Sequence, residues 1–206
     1  MTSHPNTTYF VNDLIPTNNK NLKVLFIFES PYKKELEHEH PIAGASGKSV
    51  GKFLNKIIPE IPIDIPFGCY LKQSNDSRFA AINCCNYPMD KAAYPENITK
   101  IDDFEIDKLN QLRIKLSQSN KLNMNITPAF NLLADKFESK LNKLNHNSVL
   151  KIFCGKFAQN FYFCTGSNLN INALNVPHPS RNQWSHQRYS DIIQNMLKEI
   201  KNILYI

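Results

Sequence analysis

The sequence contains no apolar run that approaches the roughly 20 residues needed to cross a bilayer as a helix. Its first twenty residues are polar and contain no apolar segment of the kind found in secretory signal peptides. These two absences argue against a membrane-spanning protein and against an exported one. We therefore expect a cytoplasmic protein without a membrane partner.

Paired cysteines are also missing. The chain has five cysteines, an odd number, and none of them forms a C-x-x-C pair. This pattern argues against a disulfide framework and against a zinc ribbon, and it favours reduced thiols buried in a core. Internal repeats and long low-complexity segments are absent as well. The cysteines are Cys69, Cys84, Cys85, Cys154 and Cys164.

The composition is that of an ordinary globular protein, with 42% hydrophobic and 20% charged residues. A chain of 206 residues is long enough for one sizeable core. We expect a polar amino-terminal extension over residues 1–21 and one domain over residues 22–206, in a monomer. The net charge of +6 permits a polyanionic partner without requiring one.

The organising stretch of the chain begins with the apolar run Val24–Phe28, which is typical of a strand buried on both faces. Pro31 ends the run, because proline cannot continue a hydrogen-bonded ladder. Small residues over Pro41–Gly47 allow a close approach of the backbone to a ligand, and helix-compatible sequence follows from Lys48 to Ile58. The side chains that emerge where the strand ends are those of Glu29, Ser30, Pro31 and Tyr32.

Further apolar runs alternate with segments of helical periodicity. This alternation predicts an α/β fold, a three-layer α/β/α sandwich with a central, mostly parallel four-stranded sheet. In such sheets ligands bind at the carboxyl ends of the strands. The additional strands are predicted at Arg78–Cys85, Val149–Cys154 and Ile171–Val176, and helices at Asp107–Ser119, Pro128–Leu144, Lys156–Phe163 and Gln187–Leu204.

Two motifs that invite a ligand are rejected. Gly47, Lys48 and Ser49 lack the first glycine of a phosphate-binding loop and lie too far from the preceding strand. The dense cluster of acids and histidines over residues 33–40 has no helical H-E-x-x-H spacing, and no distant Cys/His pair supports it. We interpret that cluster as a solvated charged loop and expect no metal. Its members are Glu35, Glu37, His38, Glu39 and His40.

Two other polar residues stand at the ends of predicted strands. His178 lies between Pro177 and Pro179, which stiffen the backbone, at the same sheet edge as Glu29. Asn83 closes the apolar run of the second strand. A rigid mount for an imidazole favours a functional role over a structural one.

Together these segments resemble the uracil-DNA glycosylase superfamily over most of residues 22–200. The loop Phe28–Tyr32 followed by Pro41–Gly47 is similar to the first motif of the branch that carries Gly-Glu-Ala-Pro-Gly and Pro-Phe-Val-Gly-x-x-Gly. His178-Pro179-Ser180 is similar to the second motif, His-Pro-Ser. Asn83 falls where the family places the asparagine that reads the pyrimidine edge.

The chain departs from the family pattern at several positions. Phe28 replaces the first glycine, and Ser30 stands where the most active uracil enzymes carry aspartate. Tyr32 matches the tyrosine that excludes a 5-methyl group in the strict uracil enzymes. The amino-terminal cysteine pair of the iron–sulfur members is missing, so we expect no cluster and no other cofactor.

The resemblance implies a monofunctional glycosylase that hydrolyses the N-glycosidic bond of a flipped-out pyrimidine in duplex or single-stranded DNA. Uracil, another deaminated base and a hypermodified cytosine of phage DNA all remain open, the last implying a role in defence. A module that binds DNA or a nucleotide without cutting is the alternative. The implied catalytic residues are Glu29, His178 and Ser30, the base-binding residues are Asn83, Tyr32 and Pro31, and the DNA-binding residues are Gly44, Ser46, Gly47, Lys48, Lys156, Ser180, Arg181 and Asn182.

Overall fold

A four-stranded, all-parallel sheet forms the centre of the fold in a computed structural model that describes residues 9–118, 127–144, 149–165 and 172–205. The strand order is β2-β1-β5-β6. Helices cover both faces, which makes a three-layer α/β/α sandwich and confirms the predicted fold class. A two-stranded antiparallel ribbon, β3-β4, lies outside the sheet.

The strands are β1 (Val24–Phe28), β2 (Phe79–Asn83), β3 (Lys100–Ile101), β4 (Phe104–Glu105), β5 (Leu150–Cys154) and β6 (Ala173–Val176). The helices are α1 (Lys33–His38), α2 (Ala45–Leu54), α3 (Phe67–Ser74), α4 (Ile106–Gln118), α5 (Pro128–Leu144), α6 (Lys156–Cys164) and α7 (Ser190–Leu204). A short 3-10 segment, Ser180–Ser185, connects β6 to a second 3-10 turn ahead of α7.

Alternate residues of β1 face two separate cores, because successive side chains of a strand point to opposite faces. Leu25 and Ile27 pack into the core beneath α4, α5 and α6. Val24, Phe26 and Phe28 pack into the core beneath α2, α3 and α7. Every residue of β1 is buried, which explains why this strand reads as one uninterrupted apolar run.

Three local predictions need correction. The charged stretch 33–40, expected to be a loop, contains α1, because the Glu35 carboxylate accepts the Tyr32 backbone N–H at 2.9 Å and stabilises a helical turn. Helix α2 begins at Ala45 and ends at Leu54, earlier at both ends than the predicted Lys48–Ile58. The surface excursion expected over residues 86–105 holds buried side chains and the β3-β4 ribbon.

The described part of the predicted amino-terminal extension packs against the rest of the fold. Val11 is completely buried, and its backbone N–H donates to the Asn86 carbonyl oxygen at 2.9 Å. Leu14 forms an antiparallel bridge with Ala81 of β2. The segment thereby covers the edge of β2 that would otherwise expose unpaired backbone groups.

Among the helices of the described residues, none has the length and apolar character that crossing a membrane demands.

We expect Gly47→Ala to lower the free energy of unfolding by about 1–3 kcal/mol. A Cβ at Gly47 would lie 1.8 Å from the Ile42 carbonyl oxygen, so the Pro41–Gly47 loop would have to move. Gly44→Ala is the matched control, because its Cβ would meet only the Lys34 side chain, at 3.3 Å. Urea unfolding followed by circular dichroism measures both. Equal losses in the two variants would contradict the close approach at Gly47.

Candidate active site

The carboxyl ends of the parallel strands bring the predicted site residues to one edge of the sheet. Phe28 is the register partner of Asn83 in β2, and Cys154 is the partner of Val176 in β6. The chain leaves β1 directly into Glu29 and leaves β6 two residues before His178. The fold therefore confirms the prediction that the segments carrying Glu29 and His178 lie at the same edge of the sheet.

Tight packing fixes the position of the His178 side chain. Its ring lies edge-on to the Phe28 ring, with 6.2 Å between the ring centroids. Gly155, at φ 94°, passes so close that a Cβ there would lie 3.0 Å from the His178 Cβ. The Trp184 indole N–H donates to the Pro177 carbonyl oxygen at 2.7 Å, which ties the segment to the core. The imidazole thus has little freedom to turn away from the sheet edge.

The hydrogen bond to His178 decides which ring nitrogen carries the proton. The Ser180 backbone N–H donates to Nδ1 at 3.2 Å, so Nδ1 is an acceptor and Nε2 carries the N–H of the neutral ring. Burial, and secondarily the positive charge of Arg113, lowers the pKa of His178 to about 4. At neutral pH the ring is therefore an uncharged hydrogen-bond donor through Nε2.

Arg113 connects the two acids of the site. From α4, its Nε lies 2.5 Å from a Glu29 carboxylate oxygen, and its Nη1 lies 3.3 Å from Asp90. Burial raises the pKa of Glu29 above its ordinary value, and the charge and hydrogen bond of Arg113 oppose that rise. Sequence reasoning missed Arg113, because nothing in the periodicity of α4 marks one polar position as facing a strand end 84 residues earlier.

The Asn83 side chain is fully buried, and both polar atoms of its amide lack a hydrogen-bond partner among the described residues. Its backbone is held firmly: its N–H donates to Asp13 at 3.0 Å, and its carbonyl oxygen accepts from Lys140 Nζ at 2.9 Å. Lys140 also forms an ion pair with Asp13 at 2.9 Å. Since buried polar groups are normally paired, the unpaired donor and acceptor of this amide make Asn83 a candidate for binding a ligand.

The loop between α1 and α2 is fixed by one carboxylate. Glu35 accepts the backbone N–H groups of Tyr32, at 2.9 Å, and Ile42, at 2.6 Å. Burial raises the pKa of Glu35 to about 7, although these two hydrogen bonds oppose the rise. Ile42 has φ 48°, a conformation that a β-branched residue adopts only when its surroundings impose it. Strain of this kind concentrates at functional loops.

Helix α2 and its N-cap residue carry four of the eight predicted DNA-binding residues, and α2 packs against the segment that follows His178. Gly44 is the N-cap residue of α2, and Ser46, Gly47 and Lys48 lie in its first turn. The contact is made by the Phe53 and Trp184 rings, whose centroids are 5.8 Å apart. Helix α2, which follows the Pro41–Gly47 loop, thus packs through the core against the segment that follows His178.

The remaining predicted residues divide by exposure. Arg181 and Asn182 are exposed and adopt consecutive left-handed conformations, at φ 52° and 56°. Lys156 is exposed at the start of α6. Trp184, which adjoins the predicted DNA-binding residues, is 2% exposed and packs in the core.

Ser30, Pro31 and Tyr32 follow Glu29 and form one rim of the candidate site. Ser30 accepts the Met89 backbone N–H through its hydroxyl oxygen at 3.3 Å, and the hydroxyl proton is left to donate. Pro31 is buried, whereas the Tyr32 side chain is 45% exposed. Tyr32 is therefore the member of the predicted base-binding set that contacts solvent most.

We expect Asp13→Ala to lower the free energy of unfolding by about 3 kcal/mol, because it leaves the largely buried Lys140 ammonium unpaired. Glu37→Ala is the control: it breaks the exposed Lys34–Glu37 pair and costs less than about 1 kcal/mol. Urea unfolding compares the two variants. A loss for Asp13→Ala no larger than that for Glu37→Ala would show that the network does not hold the Asn83 backbone.

Comparison with models of protein families and with curated proteins finds no match for this chain.

Proposed function

We propose that the protein is a DNA glycosylase that hydrolyses the N-glycosidic bond of a flipped-out uracil or modified pyrimidine and leaves an abasic site. The observation that carries the proposal is the unpaired, buried amide of Asn83 at the same sheet edge as the neutral imidazole of His178. A primary amide offers one acceptor and two donors, which complement the polar edge of a pyrimidine.

In this proposal Asn83 recognises the extruded base and His178 assists its departure. Bond cleavage leaves negative charge on a carbonyl oxygen of the base. The Nε2–H of a neutral imidazole donates to that oxygen as the charge develops, and the surrounding low-dielectric edge strengthens the interaction. The packing of Phe28 and Gly155 against the ring keeps the donor in place without reorganisation.

Glu29 is the residue proposed to handle the water. Its carboxylate can accept a proton from, or orient, a water molecule directed at the anomeric carbon. Burial raises its pKa, which makes it a stronger base, and Arg113 keeps it ionised and oriented. Ser30 has no basic group, so we assign its hydroxyl to positioning the water or a phosphate.

The DNA backbone is proposed to contact the surface formed by the first turn of α2 and by Ser180, Arg181 and Asn182. The first turn of α2 presents backbone N–H groups, which favour phosphate. Lys48 in α2 and Arg181 in the segment after His178 are both exposed. The net charge of +6 favours a polyanion. A cytoplasmic location is supported by five cysteines that are all unpaired.

Two classes of base fit the proposal: uracil or another deaminated base, and a bulkier modified cytosine. Tyr32, exposed at the rim, and the neighbouring α1 are the elements proposed to select it. A substrate of the second class, found in phage DNA, would give the protein a role in defence.

A second candidate function is a glycosylase-like module that binds DNA or a nucleotide but does not cut. It is favoured by the 2.5 Å contact between Arg113 and Glu29, which neutralises the carboxylate proposed to activate water. Ser30 supplies no substitute for the aspartate found in the most active enzymes of the superfamily that the sequence resembles.

Cleavage of end-labelled oligonucleotides distinguishes these functions. Single-stranded and duplex substrates carry one uracil, hydroxymethylcytosine or glucosylated hydroxymethylcytosine, and alkali converts abasic sites to breaks. We expect breaks on one substrate class, reduced about 100- to 1,000-fold by His178→Ala, which removes the donor, and about 100- to 10,000-fold by Glu29→Gln, which removes the base.

The matched controls are His186→Ala and Glu96→Gln, both at exposed positions. We expect them to retain wild-type rates. Binding without breaks on every substrate, weakened by Asn83→Ala, would favour the module. Breaks that survive both His178→Ala and Glu29→Gln would remove the proposed mechanism.

The pH dependence of cleavage tests the roles of Glu29 and Arg113. Cleavage needs ionised Glu29, so the rate falls as pH decreases through its pKa, which burial places above the ordinary 4.5. His178, with a pKa of about 4, stays neutral over that range. Arg113→Gln removes the charge that lowers the pKa of Glu29, so the acid limb should move to higher pH, whereas Arg113→Lys should keep it nearer the wild-type position. A limb that Arg113→Gln leaves unmoved would exclude Glu29 as the group whose ionisation limits the rate.

A further inference from the structure

Three side chains that the sequence separates converge at the end of α1. His38 is the last residue of α1, His40 follows after the left-handed Glu39, and Cys69 lies in the first turn of α3. One ring nitrogen of each histidine and the Cys69 sulfur all lie within 4.8 Å of one another. The cluster that looked unsupported in the sequence thus gains a distant cysteine partner through folding.

The hydrogen bonding of His40 leaves a lone pair directed at that cysteine. Its Nδ1 lies 3.0 Å from the Pro41 carbonyl oxygen, which can only accept, so Nδ1 carries the proton. Nε2 of the neutral ring is then unprotonated, and it lies 3.7 Å from Cys69 Sγ. Histidines that ligate metals are typically fixed in this way, with the second ring nitrogen donating to a carbonyl group.

A thiol hydrogen bond from Cys69 to His40 would explain two of the three residues. It does not explain His38, which is solvent-exposed and has its ring centroid 5.9 Å from that of His40. Metal coordination requires a third ligand atom close to the other two, and a ring nitrogen of His38 lies within 4.8 Å of both. Lys72 lies nearby and donates from Nζ to the His38 carbonyl oxygen at 3.2 Å, so its ammonium group is bound to the backbone and is not itself a ligand.

We propose that His38, His40 and Cys69 bind one transition-metal ion of the zinc class, with water as the fourth ligand. Two imidazole nitrogens and one thiolate match the preference of Zn²⁺ for tetrahedral nitrogen and sulfur ligands, and they do not suit Mg²⁺ or Ca²⁺. On binding, the metal takes the place of the thiol proton, which passes to solvent. Burial raises the pKa of the Cys69 thiol and the Lys72 charge opposes that rise, so the ion competes with a proton for the sulfur.

The position of this site connects it to the loop that borders the sheet edge. His40 is followed directly by Pro41 and the strained Ile42, whose N–H is held by Glu35. A metal ion shared by His40 and Cys69 would fasten the start of the loop to α3. The bound ion would therefore stabilise the start of the loop, and no step of base release passes through it.

Cobalt substitution provides a readout that is independent of glycosylase activity. The full-length protein is stripped with a chelator and titrated with Co²⁺, whose bond to a thiolate produces a charge-transfer absorption band. We expect saturation at one ion per chain and loss of the band on adding Zn²⁺. Cys69→Ser should abolish the band, and the exposed-site variant His38→Ala should weaken binding at least about tenfold.

Cys164→Ser and His186→Ala are the matched controls, because Cys164 is a second partly exposed cysteine and His186 is another exposed histidine. Both should bind Co²⁺ as the wild type does, and circular dichroism verifies that every variant is folded. Absence of a charge-transfer band in the wild type, or a band that survives Cys69→Ser, would overturn the proposal. If Cys69→Ser fails to fold, unchanged affinity in His38→Ala would do the same.

Discussion

The parallel register of β1 between β2 and β5 is the constraint on which the candidate site depends. Because all four strands run in one direction, their carboxyl ends lie at a single edge. Phe28 is level with Asn83 across one pairing, and the chain beyond β6 returns over Gly155 to place His178 against Phe28. A shift of one residue in β1 would turn Phe28 to the opposite face and remove the surface on which His178 rests.

Two ion pairs near this edge serve different purposes. The pair between Asp13 and Lys140 is largely enclosed, and its remaining hydrogen bonds hold the backbone of Asn83. The pair between Glu29 and Arg113 is more exposed and involves the side chain proposed to act on water. The Asp13–Lys140 pair fixes the position of the Asn83 backbone. The Glu29–Arg113 pair sets the protonation state and the orientation of the Glu29 carboxylate.

The unpaired amide of Asn83 is the feature of the site that costs the fold free energy. A buried polar group without a partner costs about 1–3 kcal/mol, and both of its polar atoms are unpaired among the described residues. The left-handed backbone at Ile42, Arg181 and Asn182 adds strain in the two loops that flank the same edge. Destabilising features of this kind persist where a bound ligand relieves them, and this is the physical basis of the proposed base recognition.

The predictions from sequence succeeded where hydrophobic periodicity carried the signal and failed where polar side-chain contacts decided the structure. The apolar run Val24–Phe28 predicted its strand, since burial on both faces leaves no polar position. The charged stretch 33–40 was misinterpreted as a solvated loop, because the hydrogen bonds from Tyr32 and Ile42 to Glu35 do not register in hydrophobic periodicity. Arg113 was missed because it reaches Glu29 from 84 residues away.

The sequence by itself determined the layered α/β fold, the strand-end positions of Glu29 and Asn83, and the rigid Pro-His-Pro setting of His178. These follow from hydrophobic periodicity and from the backbone limits of proline, which act over a few residues. Only the tertiary structure decided that Arg113 pairs with Glu29, that Asp13 holds Asn83, and that Cys69 joins His38 and His40. Those contacts join residues far apart in the chain, and they depend on distances of a few ångströms that only the packed strands and helices define.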